Sequence, residues 1–306
     1  DGCIDDDAFL ALCDDILATR ERILMDQLAT FDEGLLASVF DSLDRVQHMF
    51  WRDRPDVVDR WYRKIDGLIG RIAAALNADG REEAKLLILS DHGFARYDRK
   101  VHLNRWLEDR GYLARRPDAT EADLRAVDWA ATSAYAVGLN SLYLNLRGRE
   151  GEGRVAPDAY QPTVRQLCDD LMAWRDDVGR QVVRHAYPGV EAFSGPYLER
   201  APDVVVGYAP GFRASSETGL GRWQARAVAP NPDHWNSDHC IDVQAVPGVL
   251  FADRPLDLEA PTYADVSVLA IGKRPDQPNR PPASHPGMDG EDDETVEERL
   301  KSLGYL

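Results

Sequence analysis

The sequence predicts an α/β domain, on three observations. Two short apolar runs, Leu35-Leu36-Ala37-Ser38-Val39-Phe40 and Lys85-Leu86-Leu87-Ile88-Leu89-Ser90, have the length and composition of strands buried in a sheet. A stretch with apolar residues at helical spacing separates them. Paired His and Asp residues follow the runs, where open α/β sheets bind ligands, outside the carboxyl ends of their strands.

Taken in order, residues 5–30 carry Ala8, Phe9, Leu12, Ile16, Ile23, Leu24 and Leu28 among charges, which predicts one or two amphipathic helices. After the run at 35–40, Pro55 opens a helix whose apolar face is Trp61, Ile65, Leu68, Ile69, Ile72 and Leu76, ending before Asp79-Gly80. With the run at 85–90 this makes a βαβ unit, whose crossover would be right-handed. Residues 101–113 predict a helix around Leu103, Trp106 and Leu107 stopped by Gly111. The stretch 128–155 predicts turns and short strands such as 141–146, and 161–174 another helix. Val204-Val205-Val206 and the run 246–251 are strand candidates; Pro247 suits a strand start or an edge. Residues 273–290 predict a surface loop and 294–303 a tail helix capped by Gly304. With no internal repeat and no long linker, 1–306 is expected to be one domain with an irregular insertion around 114–235.

The 306 residues could form two average domains or one large one, at roughly 100–200 residues per domain. No uncharged apolar run reaches the roughly 18–20 residues of a membrane helix. The net charge of −17 argues against a nucleic-acid backbone or an anionic membrane as partner. An anionic substrate would need local positive charge, which a divalent metal can supply. Cys3, Cys13, Cys168 and Cys240 lack the spacing of a disulfide framework or structural zinc site and favour a reducing, cytoplasmic compartment. A signal peptide upstream of Asp1 would reverse that preference.

Three clusters carry candidate chemistry. Asp44 and His48 lie four apart after the first run, a spacing that can converge on one ion or equally belong to a solvated turn. Asp91 and His92 follow the second run, with Gly93 permitting close backbone approach. Burying them unpartnered would cost roughly 1–3 kcal/mol for each polar group, and a metal would remove that cost. Asp238-His239-Cys240 precedes the run at 246–251; His234 is an alternative imidazole, and Cys240 can equally be a small buried hydrophobe. His102, His185 and His285 have no acidic neighbour pattern and read as structural or surface residues. Asp44, His48, Asp91, His92 and His239 together suit zinc or manganese better than magnesium or calcium. Five ligands exceed one tetrahedral zinc and fall short of two complete sites.

The order of motifs resembles the type I phosphodiesterase/nucleotide pyrophosphatase branch of the alkaline phosphatase superfamily. It runs through Phe40 to Trp51, Ser90 to Phe94, Leu103 to Leu107 with Gly111 to Leu113, Tyr143 to Glu150, Ala201 to Tyr208, Asp238 to Cys240, 246–251 and Leu300 to Leu306. The resemblance implies an alkaline-phosphatase-like three-layer sandwich around a mostly parallel sheet, and two divalent metal sites. By position Asp44, His48 and His239 resemble the ligands of one metal, and Asp91 with His92 half of the other. It also implies an Asp-ended first strand and a Thr or Ser nucleophile, which residues 1–34 do not offer. The chain is therefore expected to lack its first βα unit, with the nucleophile upstream and this segment alone inactive.

The expected activity is hydrolysis of phosphate diesters or nucleotide pyrophosphate bonds of a small phosphorylated substrate. Arg213 is a candidate phosphate contact, with a surface role as the competing reading. A sulfatase would need Cys or Ser in a C/S-x-P/A-x-R context, which none of the four cysteines has. A phosphomutase would carry more metal-ligand histidines. The rival from another class is a truncated or degenerate domain that binds metal without turnover.

Overall fold

Asp5 opens the first helix, its Oδ1 accepting from the amide of Ala8 at 2.8 Å. In the computed structural model, described for residues 3–78, 84–258 and 260–272, that helix is α1 (Asp6–Thr30). It buries Cys13, Leu17, Leu24 and Leu28; Leu12 and Ile23, which the pattern placed inside, are instead exposed. Next come α2 (Ser42–Phe50) and α3 (Pro55–Ala78), the latter starting on its proline as expected. Val46, Phe50, Val57, Val58, Trp61 and Leu68 join Cys13 and Leu17 in one apolar cluster among the three helices.

The segment 35–40 is not a strand, so no βαβ unit forms here. It links α1 to α2 without regular secondary structure, with Leu35 60 % and Val39 75 % exposed and the Val39 carbonyl taken by Arg20 Nη1. A strand needs a neighbour to complete its hydrogen-bond ladder, and among the described residues none lies beside it.

The second run forms β1 (Leu87–Leu89), followed by β2 (Ala95–Val101) and α4 (Leu103–Asp109). Then come β3 (Ala134–Ala136), β4 (Ser141–Leu144), α5 (Tyr160–Ala173), β5 (Val183–Pro188) and the single turn α6 (Gly189–Ala192). β6 (Val204–Tyr208), β7 (Gly211–Ala214), the turn α7 (Ser216–Gly219), β8 (Val228–Pro230), β9 (Ser237–Asp238), β10 (Leu250–Ala252) and α8 (Tyr263–Ile271) complete the order.

The expected mostly parallel sheet is replaced by three sheets whose pairings are largely antiparallel. β1 pairs with β10; β2 lies between β7 and β8 and also pairs with β9; the third sheet has the order β3-β4-β6-β5. β2 with β7 is the parallel pairing between these strands. The reason lies in the connections: β3 and β4 are joined by a four-residue turn, which brings the chain straight back, whereas parallel strands need a long crossover. The stretch expected to be irregular, 114–235, thus carries an ordered sheet, and with α4 and α5 it encloses the larger core around Leu107, Leu144, Leu167 and Val206. The four cysteines are free. Among the described residues no helix is long and apolar enough to cross a membrane. The loop expected at 273–290 and the helix at 294–303 lie outside the described residues.

Candidate metal centre

Three separate elements bring the cluster together. In α2, Val46 and Phe50 face the helical core, and the four-residue spacing places Asp44 and His48 together on another face. His48 is buried; its Nδ1 lies 2.8 Å from the Ser237 carbonyl and its ring stacks on Trp235, centroids 3.8 Å apart. The chain around β9 holds this end of α2. Ser237 Oγ donates to the Gln47 carbonyl, which also accepts from the Trp51 amide, and Asn236 Nδ2 donates at 3.3 Å to the carbonyl of Met49, a group that the helix terminus leaves free.

The loop after β1 is clamped to the segment before β10. Ser90 N donates to the Val249 carbonyl at 3.0 Å and Gly93 N to that of Val246 at 2.9 Å. A Cβ at Gly93 would stand 2.8 Å from the Pro247 carbonyl oxygen, so this approach needs glycine, as the sequence suggested. Asp91 and His92 are carried on that clamp, and His92 Nδ1 lies 3.0 Å from the Gly93 carbonyl.

The third element is β9, paired with β2 through Asp238 and Ala95. The Asp238 carboxylate is saturated: Oδ1 accepts from the amides of His239 (2.8 Å) and Cys240 (2.9 Å), and Oδ2 from Arg213 Nε (2.8 Å) and Trp235 Nε1 (3.0 Å). Burial alone would raise its carboxyl, but Arg213, His48 and these hydrogen bonds outweigh burial and hold it well below the usual carboxylate range. This pivot sets the direction of His239, and sequence reasoning passed over it in favour of its neighbour.

The three elements converge on Asp44. Its Oδ2 is 3.6 Å from His48 Nε2, and its Oδ1 is 3.9 Å from both His92 Nε2 and His239 Nε2. Asp91 Oδ2 is 3.5 Å from His92 Nε2. Asp44, His92 and His239 form one group of mutually close donor atoms; His48, Asp238 and His239 form another. The rings of His92 and His239 stack at 3.6 Å, so the two-site division implied by the family resemblance is not drawn by this geometry.

The donors suit a cation. A carbonyl only accepts, so His48 and His92 must donate through Nδ1; in a neutral ring that leaves Nε2 a bare lone pair aimed at the carboxylate. Metal-ligating histidines have the same arrangement, with the second nitrogen held by a carbonyl or carboxylate. Asp44 Oδ1 is buried with no hydrogen-bond partner. Burial pushes the Asp44 carboxyl up to about 6 against the pull of His92, pushes His48 down to about 4, and lowers His239. Lone pairs that face one another where charge is disfavoured require a shared proton or a metal. In tetrahedral coordination with bonds of roughly 2.0–2.1 Å, donor atoms stand about 3.4 Å apart, close to the spacings found.

Arg213 is engaged inside the chain rather than standing on the surface. Its side chain is buried, with Nε on Asp238 and Nη1 on the Ala214 carbonyl at 2.9 Å; burial opposes its charge, and Asp238 keeps it ionised. His239, not the exposed His234, joins the cluster. His185 has an acidic partner that sequence adjacency hid, Asp242 Oδ2 at 2.8 Å from its Nδ1. Thr19 and Thr30 are engaged on α1, with Arg22 and the Gln27 carbonyl.

The model of one protein family, described as type I phosphodiesterase / nucleotide pyrophosphatase, matches residues 10–234, more than half of the chain. That stretch contains Asp44, His48, Asp91 and His92 and ends short of His239. No curated protein matches the sequence.

Proposed function

The chain belongs to the type I phosphodiesterase/nucleotide pyrophosphatase family, and from that premise we propose that it is the metal-binding part of a hydrolase acting on phosphate diesters or nucleotide pyrophosphate bonds. One observation carries the reading most of the way: the buried, unpartnered Oδ1 of Asp44, faced by Nε2 of His92 and His239. Asp44, His48, His92 and His239 hold divalent cations, with Asp91 completing the set beside His92; zinc or manganese matches imidazole and carboxylate donors. Following the family pattern, two ions are proposed. Bound cations supply Lewis-acid stabilisation of a phosphate ester, whose charge a chain at −17 would otherwise repel.

The chain's own residues set the geometry. Ser237 and Gly93 carbonyls fix the tautomers of His48 and His92, Asp238 aims His239, and Trp235 and Phe94 shield the His48 ring from water. Arg213 neutralises Asp238, so it acts through that carboxylate rather than on substrate. The Thr or Ser nucleophile of the family chemistry is not among the residues of this cluster.

The test is turnover of a chromogenic diester, bis(4-nitrophenyl) phosphate, by the protein with its upstream sequence and added zinc or manganese. Metal-dependent hydrolysis, abolished by Asp44→Ala, is expected. Metal binding without turnover would replace the hydrolase by a non-catalytic metal-binding domain.

A further inference from the structure

The sheet β3-β4-β6-β5 buries one face and leaves the other open. Ala134, Ala136, Leu142 and Leu144 point into the core with no exposed surface, so the alternate residues Tyr135 and Tyr143 stand on the outer face. A face that only meets water carries polar residues. This one carries two tyrosines opposite each other across β3 and β4, ring centroids 5.6 Å apart and 22° from parallel. With Tyr160 they wall a cleft of about 1020 Å³, comparable with the largest small-molecule sites at roughly 1,000 Å³.

The walls are held in place before any ligand arrives. Asp203, 3 % exposed, accepts from Arg149 Nη1 (3.0 Å) and Nη2 (2.6 Å), from Tyr160 Oη (2.9 Å) and from the Leu144 amide (2.6 Å). Glu150 accepts from Arg149 Nε at 2.8 Å and from the Leu146 amide at 2.7 Å. Trp129 meets the Tyr135 ring edge-on at 5.1 Å. Such fixed walls lower the ordering cost of binding.

The lining charges are unequal in availability. Glu150 and Asp203 are taken up by this network, which leaves Glu199 as a rim acceptor. Arg147 and Arg200 also line the cleft, and among the described residues neither guanidinium has a carboxylate partner; Arg200 lies over the Tyr197 ring, 5.9 Å from its centroid. On a chain of net charge −17, two unpaired cations beside stacked aromatic rings favour a ligand that is both flat and negative.

We propose that this cleft binds a small planar aromatic anion, its ring extending the Tyr135–Tyr143 stack and its acid group on Arg147 and Arg200. None of these residues belongs to the His/Asp cluster, so the site stands whether or not the hydrolase reading holds.

The test is calorimetric titration of the chain with 2-naphthoate, 2-naphthol and cyclohexanecarboxylate. The proposal expects saturable 2-naphthoate binding, with the neutral and the non-aromatic probes each weaker by about tenfold or more. Tyr143→Ala, and Arg147→Ala with Arg200→Ala, should each weaken it by about tenfold, while Tyr143→Phe keeps it. Both arginines are exposed, so their removal leaves the fold intact. Binding should also survive chelation of metal. No saturable binding, equal affinity for all three probes, indifference to the variants, or loss on chelation would each overturn the proposal.

Discussion

Two carboxylates, the half-buried Asp44 in α2 and the buried Asp203 before β6, are handled in opposite ways. Asp203 is a structural knot: four protein donors, two of them from one guanidinium, fill its lone pairs. Asp44 is ringed by the Nε2 atoms of His48, His92 and His239 at 3.6–3.9 Å, and its Oδ1 has no hydrogen-bond partner. A fold pays for such an unsatisfied group, on the order of 1–3 kcal/mol, so its persistence points to a ligand from outside the chain. Saturation suits a carboxylate that holds structure, and an open carboxylate oxygen facing imidazole nitrogens suits the cation site proposed for Asp44.

The largest effect should fall on the saturated side. Asp203→Ala takes two bonds from the Arg149 guanidinium, which keeps only Glu150 and the Leu144 carbonyl, and removes two further bonds, from Tyr160 and the Leu144 amide; breaking such a pair is expected to lower unfolding free energy by about 3–5 kcal/mol in urea titration. Metal uptake by the folded fraction should stay intact. A loss of metal with little change in stability would reverse the two roles.

Next comes the open side. Zinc at about one hundred times its dissociation constant should stabilise the wild-type chain by about 2.7 kcal/mol. Asp44→Ala and His239→Ala should abolish that gain and lower metal content, whereas His285→Ala and His185→Ala should not. Measured on chelated protein, Asp44→Ala should be close to neutral, since it removes an unsatisfied group.

Gly93→Ala sharpens the comparison by disturbing the clamp while sparing every donor. Its Cβ would press on the Pro247 carbonyl, so a stability loss of about 1–3 kcal/mol is expected together with weaker zinc binding. The smallest effect belongs to Trp235→Leu, which removes the stack on His48 and one donor to Asp238, about 1 kcal/mol by urea titration.

How much of this was visible in the sequence follows from which interactions are local. The helices α3, α4 and α5 were readable because their apolar spacing, Pro55 and Gly111 act within a few residues. The run 35–40 misled because an apolar hexapeptide specifies a strand only when a neighbour completes its ladder, and pairing partners are remote in sequence. Parallel or antiparallel pairing failed for the same reason. At the centre, Asp44, His48, His92 and His239 lie close together because each motif sits next to a strand or helix end, while the exposed Asp91 neighbours His92 alone. Asp238 was passed over and Arg213 was read as a surface residue because their bond to each other spans 25 residues and no local pattern announces it.

Central to the account is that Asp44 is kept open for a cation, and the most direct measurement is zinc titration into the chelator-stripped chain, wild type beside Asp44→Ala. The account predicts saturable binding by the wild type that weakens about 100-fold or more in the variant, with both chains unfolding at similar urea concentrations before zinc is added. No saturable binding by the wild type, or equal binding by both, would contradict it.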